Sequence, residues 1–281
     1  MGSSLGRRDS HSGVTCTAAE VVAGEIHAQF KGRHLLLLTD FDGTLADLAP
    51  TPDEAVVSPA VRGQIEGLAA LSSVTFGVVS GRRLADVSQR VGAAAEFVAG
   101  LHGLEITGPG SDFHHYGLES VRGVIGSLKA VAASQLAWCP GVLLEDKTYA
   151  LTCHVRLAPP DLGERALEEF EALAQPLVGA RMLKQLIGAK AMELLPAVDW
   201  NKGRACEWIR GRVRVTVADP VSIVYLGDDR TDEDAFAALG DHDVAIGVGD
   251  RPHAHLIDWR LVGPASVGRL FGHLARLRSG V

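Results

Sequence analysis

Two aspartates separated by one residue directly follow an apolar run near the amino end of the chain. The run spans residues 34–39, and the sequence Asp-Phe-Asp-Gly-Thr occupies residues 40–44. Paired carboxylates on one turn can supply a nucleophile, a general acid or base, and metal ligands. A calcium-binding loop would need an acidic twelfth position, and counting from Asp40 that position is Thr51. The spacing therefore argues against a calcium loop. An ordinary turn would also accommodate Asp-x-Asp-Gly, and it is the position directly after an apolar run that favours catalytic carboxylates.

A second group of acids follows another apolar run, residues 221–226. The sequence Gly-Asp-Asp-Arg-Thr-Asp-Glu-Asp occupies residues 227–234. Carboxylates this close together repel one another unless a cation lies among them, and Mg²⁺ favours ligand sets made of oxygen. Glu233 and Asp234 also fit the first turn of a helix, where the helix dipole favours acids. Asp228 is therefore the strongest metal-ligand candidate in this segment.

Two short motifs could bind a phosphate. Ser80-Gly81-Arg82 follows the apolar residues 74–79. A hydroxyl and a free backbone N–H at the start of a helix can cradle a phosphate, although serine is also a common N-cap. Lys202, in Asn-Lys-Gly at residues 201–203, could contact an anion or simply face solvent. The chain contains no Walker-type or G-x-S-x-G motif, which argues against a P-loop enzyme and an α/β-hydrolase.

The apolar runs that precede these motifs predict strands buried on both faces, as in a parallel sheet covered by helices. Helix-compatible segments separate them, and this alternation predicts a doubly wound α/β layer. Ligands bind at the carboxyl edge of such a sheet, where the motifs would lie together. The predicted strands are residues 34–39, 74–79, 97–99, 221–226 and 243–248, and the predicted helices are residues 18–30, 59–71, 83–91, 202–210 and 232–239.

The middle of the chain has a different pattern. A turn cluster at residues 108–111 is followed by a predicted helix, two strands, a second helix from Pro159 to residue 174, and a strand pair broken at Gly188. Strands and helices in this order, inside an α/β chain, predict an inserted α+β domain. We place this domain at residues 105–196, the core at residues 17–104 and 197–281, and a polar, disordered amino-terminal segment at residues 1–16.

Composition excludes several classes of function. The net charge is −7 and no basic tract is present, which argues against nucleic acid or an anionic membrane as the partner. The four cysteines are scattered and form no C-x-x-C pair, which indicates free thiols in a reducing compartment. No apolar run approaches the roughly 20 residues of a membrane span. We expect a cytoplasmic monomer that acts on a small molecule, without nucleic-acid or membrane partners.

Taken in order, the four motifs resemble those of the haloacid dehalogenase (HAD) superfamily of phosphatases. Between about residues 35 and 247 the chain is similar, more narrowly, to the trehalose-6-phosphate phosphatases. The most specific segment is residues 227–236, and residues 80–82, 99–105, 145–147, 188–196 and 201–203 support it. The resemblance implies a Rossmann-like HAD core with a parallel sheet and an inserted α+β cap. It also implies Mg²⁺-dependent hydrolysis of trehalose 6-phosphate.

The resemblance also implies a role for each motif residue. Asp40 would attack phosphorus and form an aspartyl-phosphate, while Asp42 would protonate the leaving sugar oxygen and later deprotonate water. Ser80 and Lys202 would hold the phosphoryl oxygens. The metal set implied for Mg²⁺ is Asp40, the backbone carbonyl of Asp42 and Asp228, with Asp229 or Asp232 acting through water or on Lys202.

Sugar recognition would come mainly from the cap. Charged residues on a small sheet often face solvent instead, and His102 could be structural. Two departures from the family pattern bear on the identity of the sugar: Leu195 stands where an arginine is frequent, and Val155 stands where an aromatic residue is common. The candidate substrate-binding residues are Arg82, His102, Glu145, Lys147, Lys190 and Glu193.

Three alternatives stay open on these residues. The chain could be a phosphatase for another sugar phosphate, such as a pseudo-disaccharide or glucosyl-glycerol ester. It could be a phosphomutase, since mutases of this superfamily also use the Asp-x-Asp pair. It could also be a non-catalytic sugar-phosphate sensor, although such a protein would be free to lose motif residues that are all present here.

Overall fold

A computed structural model of the chain describes residues 16–188, 190–250 and 254–280. The amino-terminal segment predicted to be disordered is residues 1–16. Residues 1–15 lie outside the described ranges. The strands are β1 (His34–Thr39), β2 (Val74–Val79), β3 (Phe97–Gly100), β4 (Glu105–Gly108), β5 (Ser111–His114), β6 (Leu143–Asp146), β7 (Leu151–His154), β8 (Leu183–Ile187), β9 (Ala191–Pro196), β10 (Val221–Gly227), β11 (Val244–Val248) and β12 (Trp259–Leu261). The helices are α1 (Ala19–Gln29), α2 (Pro59–Ala69), α3 (Leu84–Val91), α4 (Arg122–Gln135), α5 (Pro160–Gly179), α6 (Lys202–Thr216), α7 (Glu233–Ala238) and α8 (Pro264–Ser279).

An eight-stranded sheet forms the core, in the order β12-β11-β10-β1-β2-β3-β4-β5. The strands from β12 to β3 are parallel, as the apolar runs predict. Side chains of β1 alternate between the faces: Leu35 and Leu37 pack under α1, α2 and α8, whereas Leu36 and Leu38 pack under α6. Burial on both faces explains why β1 and β10 contain so few polar residues. The predicted α/β layer is confirmed.

The core sheet continues past residue 104, although the sequence pattern predicts that the inserted domain starts at residue 105. Strands β4 and β5 extend it as an antiparallel edge, with Gly100 opposite Glu105 and Gly108 opposite Ser111. A tight turn at Leu101–Gly103 reverses the chain, and Ile106 then packs into the core beside Phe97. The turn cluster interpreted as a domain border is a hairpin loop, so residues 105–114 belong to the core sheet.

A four-stranded antiparallel sheet, in the order β6-β7-β9-β8, forms the inserted cap together with α4 and α5. The predicted strand pair broken at Gly188 is present as β8 and β9. Glu145 on β6 lies opposite Thr152 on β7, which lies opposite Glu193 on β9. Directly opposed residues of neighbouring strands share one face of a sheet. These three side chains therefore form a row across one face of the cap.

The chain returns from the cap to the core through residues 197–201, and this segment is firmly held. Lys184 Nζ donates hydrogen bonds to the carbonyls of Val198 and Trp200, at 3.1 and 3.0 Å. The Trp200 ring stacks on Phe113 of β5 at 4.4 Å, and its Nε1 donates to the carbonyl of Gly103. These contacts fix the start of α6 relative to the sheet. In the part of the chain that is described, no helix is long and apolar enough to cross a membrane.

Candidate active site

Asp40 lies at the carboxyl edge of the core sheet, directly after β1. Its side chain is almost fully buried, and Oδ1 accepts a hydrogen bond from Lys202 Nζ at 2.8 Å. Burial raises the pKa of Asp40 to about 7; Lys202 opposes this shift, whereas Asp232 and Asp42 add to it. The ionised form of Asp40 therefore depends on the cations that surround it.

Lys202 is the first residue of α6, and the start of that helix points it at Asp40. Asn201 caps the helix, because its side chain accepts from the backbone N–H of Arg204 at 3.0 Å. Lys202 Nζ donates to Asp40 Oδ1 and also to Asp232 Oδ1, the latter at 2.7 Å. Burial opposes the charged amine, but Asp232 and Asp40 outweigh it and raise the pKa of Lys202. Lys202 is a buried cation, so the interpretation as a solvated surface lysine is wrong.

Three buried carboxylates could hold a metal ion beside Asp40. Asp40, Asp228 and Asp232 each offer an oxygen, and these oxygens lie within 4.8 Å of one another. Burial, followed by repulsion from Asp40 and Asp232, raises the pKa of Asp228 to about 9. Gly43 leaves the space that Asp228 occupies, since a Cβ at Gly43 would lie 2.1 Å from Asp228 Oδ2. Buried oxygens held this close fit a divalent cation such as Mg²⁺.

Asp229, which was also predicted to belong to the metal set, caps the short turn at Arg230–Asp232. Its side chain accepts from the backbone N–H of Arg230 at 2.8 Å, and its own N–H donates to Asp232 Oδ2 at 3.1 Å. Asp232 thus accepts on both oxygens, from Asp229 on one and from Lys202 on the other. This geometry favours Asp232 acting on Lys202, one of the two roles predicted for it.

Arg82 holds Asp42 rather than an open binding position. Its Nε and Nη2 donate to the two carboxylate oxygens of Asp42, each at 2.7 Å. Nη1 donates to Asp86 at 2.7 Å, and Nη2 also donates to the carbonyl of Pro52. Asp86 and Asp42 outweigh burial and raise the pKa of Arg82 further. In this structure the Arg82 guanidinium is therefore engaged by Asp42 and Asp86, and the substrate-binding role predicted for it stays a prediction.

Ser80 directly follows β2, the strand that pairs with β1 in the core sheet. It is buried, and its Oγ accepts from the backbone N–H of Arg82 at 3.2 Å. The Ser80 carbonyl accepts from the N–H of His102, which has a left-handed backbone (φ 58°). Gly81 lets the His102 ring approach, because a Cβ there would lie 2.8 Å from the imidazole. Ser80 and His102 thus line the same sheet edge as Asp40.

The cap presents a connected charge cluster to this edge. Lys147 Nζ donates to Glu193 Oε1 at 2.7 Å and to the carbonyl of Gly81 at 3.0 Å. Glu193 Oε2 also meets His102 Nε2 at 3.0 Å. Burial of most of the Glu193 side chain opposes its charge, but Lys147 and His102 outweigh this effect and lower the pKa of Glu193. Four predicted substrate-binding residues therefore converge here, since Glu145 lies 3.8 Å from Lys147.

Lys190 is not part of this cluster. It lies exposed in the turn between β8 and β9, and its backbone carbonyl accepts from the N–H of Val155. Leu195, where the family often has arginine, is buried in the apolar cluster of the cap. The departure at Leu195 is thus a packing residue within the cap.

Sequence reasoning missed three residues near the site. Tyr225 donates its hydroxyl hydrogen to Asp232 Oδ1 at 2.7 Å, and Asp86 pairs with Arg82. Thr152 lies between Glu145 and Glu193, and its buried Oγ1 has no hydrogen-bond partner among the described residues. The i, i+4 spacing of Arg82 and Asp86 was visible in the sequence. Tyr225 and Thr152 gave no such signal, because each lies within an apolar or alternating strand.

Comparison with known proteins gives concordant results. A family model described as trehalose-phosphatase matches residues 38–255. The chain is 38% identical over 245 residues to the trehalose-phosphate phosphatase of Mycobacterium tuberculosis (strain H37Rv), covering 84% of this chain and 60% of that protein. The chain thus spans about three fifths of the length of the curated relatives that it matches.

Solved structures share the fold. The C-terminal domain of trehalose-6-phosphate phosphatase from C. albicans superposes with a TM-score of 0.77 at 21% identity, covering 94% of this chain and 99% of that one. A haloacid dehalogenase-like hydrolase from Bacteroides thetaiotaomicron gives a TM-score of 0.60 at 13% identity, covering 85% and 97%. The core sheet with its inserted cap is therefore a HAD-like fold.

Proposed function

Because the chain belongs to the trehalose-phosphatase family, we propose that it hydrolyses trehalose 6-phosphate to trehalose and inorganic phosphate. One observation carries this proposal above all: a buried Asp40 that is paired with Lys202, with the charged cap residues Lys147 and Glu193 at the same sheet edge. The charged row of the cap distinguishes the proposal from a phosphatase that acts on small esters alone. Hydrolysis of another sugar phosphate is the second candidate, because Leu195 supplies no polar group at a position where the family often has an arginine.

Asp40 is the nucleophile in the reaction that we propose. One carboxylate oxygen attacks phosphorus, the bond from phosphorus to the sugar oxygen breaks, and an aspartyl-phosphate forms. Water then attacks the phosphorus of this acyl phosphate, the bond from phosphorus to the Asp40 oxygen breaks, and inorganic phosphate and the Asp40 carboxylate are released. Lys202 supports the attack, because its hydrogen bond to Oδ1 favours the ionised form of Asp40 and opposes the rise in pKa that burial causes.

Asp42 moves the protons. It gives a proton to the leaving sugar oxygen and later takes one from the attacking water. Both of its oxygens accept from Arg82, so Asp42 must release at least one of these hydrogen bonds and take up a proton before it can protonate the sugar oxygen. The half-exposed position of Asp42 supports such a rotation. Arg82 thus holds the Asp42 carboxylate between turnovers.

Lys202 and Ser80 bind the phosphoryl oxygens, where negative charge develops in the transition state. Asp40, Asp228 and the backbone carbonyl of Asp42 would hold Mg²⁺, with Asp232 anchoring Lys202 beside it. When bound, Mg²⁺ supplies positive charge that offsets the repulsion between the Asp40 carboxylate and the anionic substrate. Burial of Asp40 and Asp228 supports this proposal, because their charges need a counter-ion.

The cap recognises the sugar hydroxyls in this proposal. Glu193 and Lys147 form its centre, and Glu145 and Thr152 continue the row. The free Oγ1 of Thr152 supports hydroxyl binding there, since a buried polar atom without a partner is costly. Lys190, in the exposed turn between β8 and β9, is a further candidate for binding the sugar.

The direct test is phosphate release from a panel of sugar phosphates, with Mg²⁺ present and no bisphosphate activator. We expect trehalose 6-phosphate to give the highest kcat/KM of the panel. A higher kcat/KM for a different sugar ester would transfer the assignment to that substrate. Isomerised sugar phosphate without phosphate release would indicate a phosphomutase, and inactivity on every ester would indicate a sensor.

Glu193→Gln is expected to lower kcat/KM for trehalose 6-phosphate about 5- to 150-fold, with little effect on p-nitrophenyl phosphate. Loss of a hydrogen bond between a charged group and a sugar hydroxyl costs about 1–3 kcal/mol, whereas the small ester does not reach the cap. Glu164→Gln, which makes the same charge change on the exposed face of α5, is the control. Equal losses on both substrates would instead indicate that Glu193 supports the fold.

The thermal stabilisation by Mg²⁺ is expected to grow as the pH rises from about 6 to about 9. The pKa values of Asp40 and Asp228 are raised from 3.8 to about 7 and about 9, so the metal-free fold gains stability from these protons at low pH and loses it as they dissociate. Mg²⁺ binds the ionised carboxylates and offsets that loss.

Calorimetric melting with and without Mg²⁺ measures this difference, and Asp228→Asn is the control that should remove most of it. A Tm shift that is independent of pH would contradict the assignment of these carboxylates to the metal.

A further inference from the structure

A buried tyrosine begins the hydrogen-bond chain that ends at the nucleophile. Tyr225, on β10, has no solvent-exposed surface, and its hydroxyl donates to Asp232 Oδ1 at 2.7 Å. The same oxygen accepts from Lys202 Nζ at 2.7 Å, and Lys202 also donates to Asp40 Oδ1 at 2.8 Å. Four groups therefore connect the interior of the core to the reacting carboxylate.

The position of Tyr225 needs an explanation beyond packing. Its neighbours on β10, Val224 and Leu226, are fully buried apolar residues, and the Tyr225 ring packs edge-on against Phe236. A phenylalanine would fill the same space without the cost of burying a hydroxyl. Among the described residues, the hydrogen bond from this hydroxyl to Asp232 is the contact that offsets the cost of its burial. Asp232 is itself fully buried.

Asp232 needs this donor because its charge has no contact with water. Asp232 Oδ2 accepts from the N–H of Asp229, and Oδ1 is shared between Tyr225 and Lys202. If the tyrosine hydroxyl were removed, Oδ1 would retain the ammonium group as its partner. A buried carboxylate with fewer donors binds its remaining cation more closely, since an unsatisfied charge is costly in a dry interior. Lys202 would then move towards Asp232 and away from Asp40.

We propose that Tyr225 is a positioning residue that acts through Asp232 to hold Lys202 Nζ between Asp40 and the phosphoryl oxygens. The proposal rests on the proposed function, because it assigns a task to Lys202 in the same reaction. Lys202 has three N–H donors, of which Asp40 and Asp232 take two and the phosphoryl group would take the third. A small shift of Nζ weakens the contact most where charge has developed, in the transition state.

The test compares Tyr225→Phe with Tyr149→Phe. Tyr149 offers a matched control, since its hydroxyl donates to a carboxylate, Glu119, outside the site. In the Mg²⁺-loaded protein we expect Tyr225→Phe to lower kcat about tenfold while KM changes by less than about twofold. Orthovanadate mimics the five-coordinate phosphorus of the transition state, and calorimetry should show that Tyr225→Phe weakens its binding about tenfold. The binding of inorganic phosphate should be almost unchanged. Tyr149→Phe should change none of these quantities by more than about twofold.

A double-mutant cycle tests the route through Asp232. In an Asp232→Asn background, adding Tyr225→Phe should change vanadate affinity by less than about twofold, because the coupled partner is already altered. A further tenfold loss in that background would overturn the proposal. It would be overturned equally if Tyr225→Phe matched Tyr149→Phe in kcat and vanadate affinity. Vanadate binding needs no turnover, so this outcome is distinguishable from failure of trehalose 6-phosphate as the substrate.

Discussion

Asp40→Asn is expected to abolish turnover of trehalose 6-phosphate, with a loss of about four orders of magnitude or more. The amide is too weak a nucleophile to form the phosphoenzyme, and Asp232, the other carboxylate that Lys202 contacts, is fully buried. The fold should survive this change. Because Asp40 is buried beside Asp228 and Asp232, removal of its charge relieves repulsion, and the melting temperature of the metal-free protein should stay the same or rise.

Steady-state phosphate release and calorimetric melting check the two parts of this prediction. Asp53→Asn is the matched control, since Asp53 is an exposed aspartate of the loop that follows β1 and should tolerate the change. Activity within tenfold of the unmodified protein in Asp40→Asn would show that another group attacks phosphorus.

Removal of Mg²⁺ has the second-largest expected effect. Chelation with EDTA should lower kcat about a thousandfold or more, and added Mg²⁺ should restore it. The reason is electrostatic, because Asp40, Asp228 and Asp232 place three carboxylates where a dianionic phosphate must bind. Lys202 alone cannot balance these charges.

Asp228→Asn links this loss to the proposed ligands. The variant should need a higher Mg²⁺ concentration for half-maximal activity, because one anionic oxygen has been replaced by a neutral amide. A Mg²⁺ titration of both proteins measures the shift. Full hydrolysis after chelation, or an unchanged titration midpoint in Asp228→Asn, would remove these aspartates from a metal site.

The core of the fold could be predicted from local patterns. Apolar runs such as residues 34–39 allow few structures other than a strand that is buried on both faces. The motifs at the ends of such strands must then lie on one edge, which is why Asp40, after β1, and Asp228, after β10, lie close together. The boundary between the core sheet and the inserted cap was harder to predict. Residues 105–114 alternate and contain turn residues, and a local pattern does not reveal which sheet an antiparallel hairpin joins.

Partners of charged side chains could not be predicted. Arg82 follows a serine and a glycine in the manner of an anion-binding loop, yet its fork geometry matches the nearby Asp42 carboxylate, which it binds at two oxygens. Lys190 and Lys147 both lie in turns of the cap, and only the folded structure brings the side chain of Lys147 to Glu193. Such pairings depend on tertiary geometry.

The central claim is that Asp40 carries the phosphoryl group of trehalose 6-phosphate during the reaction. Acid quenching of the Mg²⁺-loaded protein within the first turnover, followed by mass spectrometry of its peptides, tests this claim most directly. We predict one phosphoryl group on the peptide that contains Asp40, absent in Asp40→Asn and lost on incubation at alkaline pH, as expected of an acyl phosphate. Product formation with no phosphorylated peptide, or with the phosphoryl group on a different residue, would contradict the account.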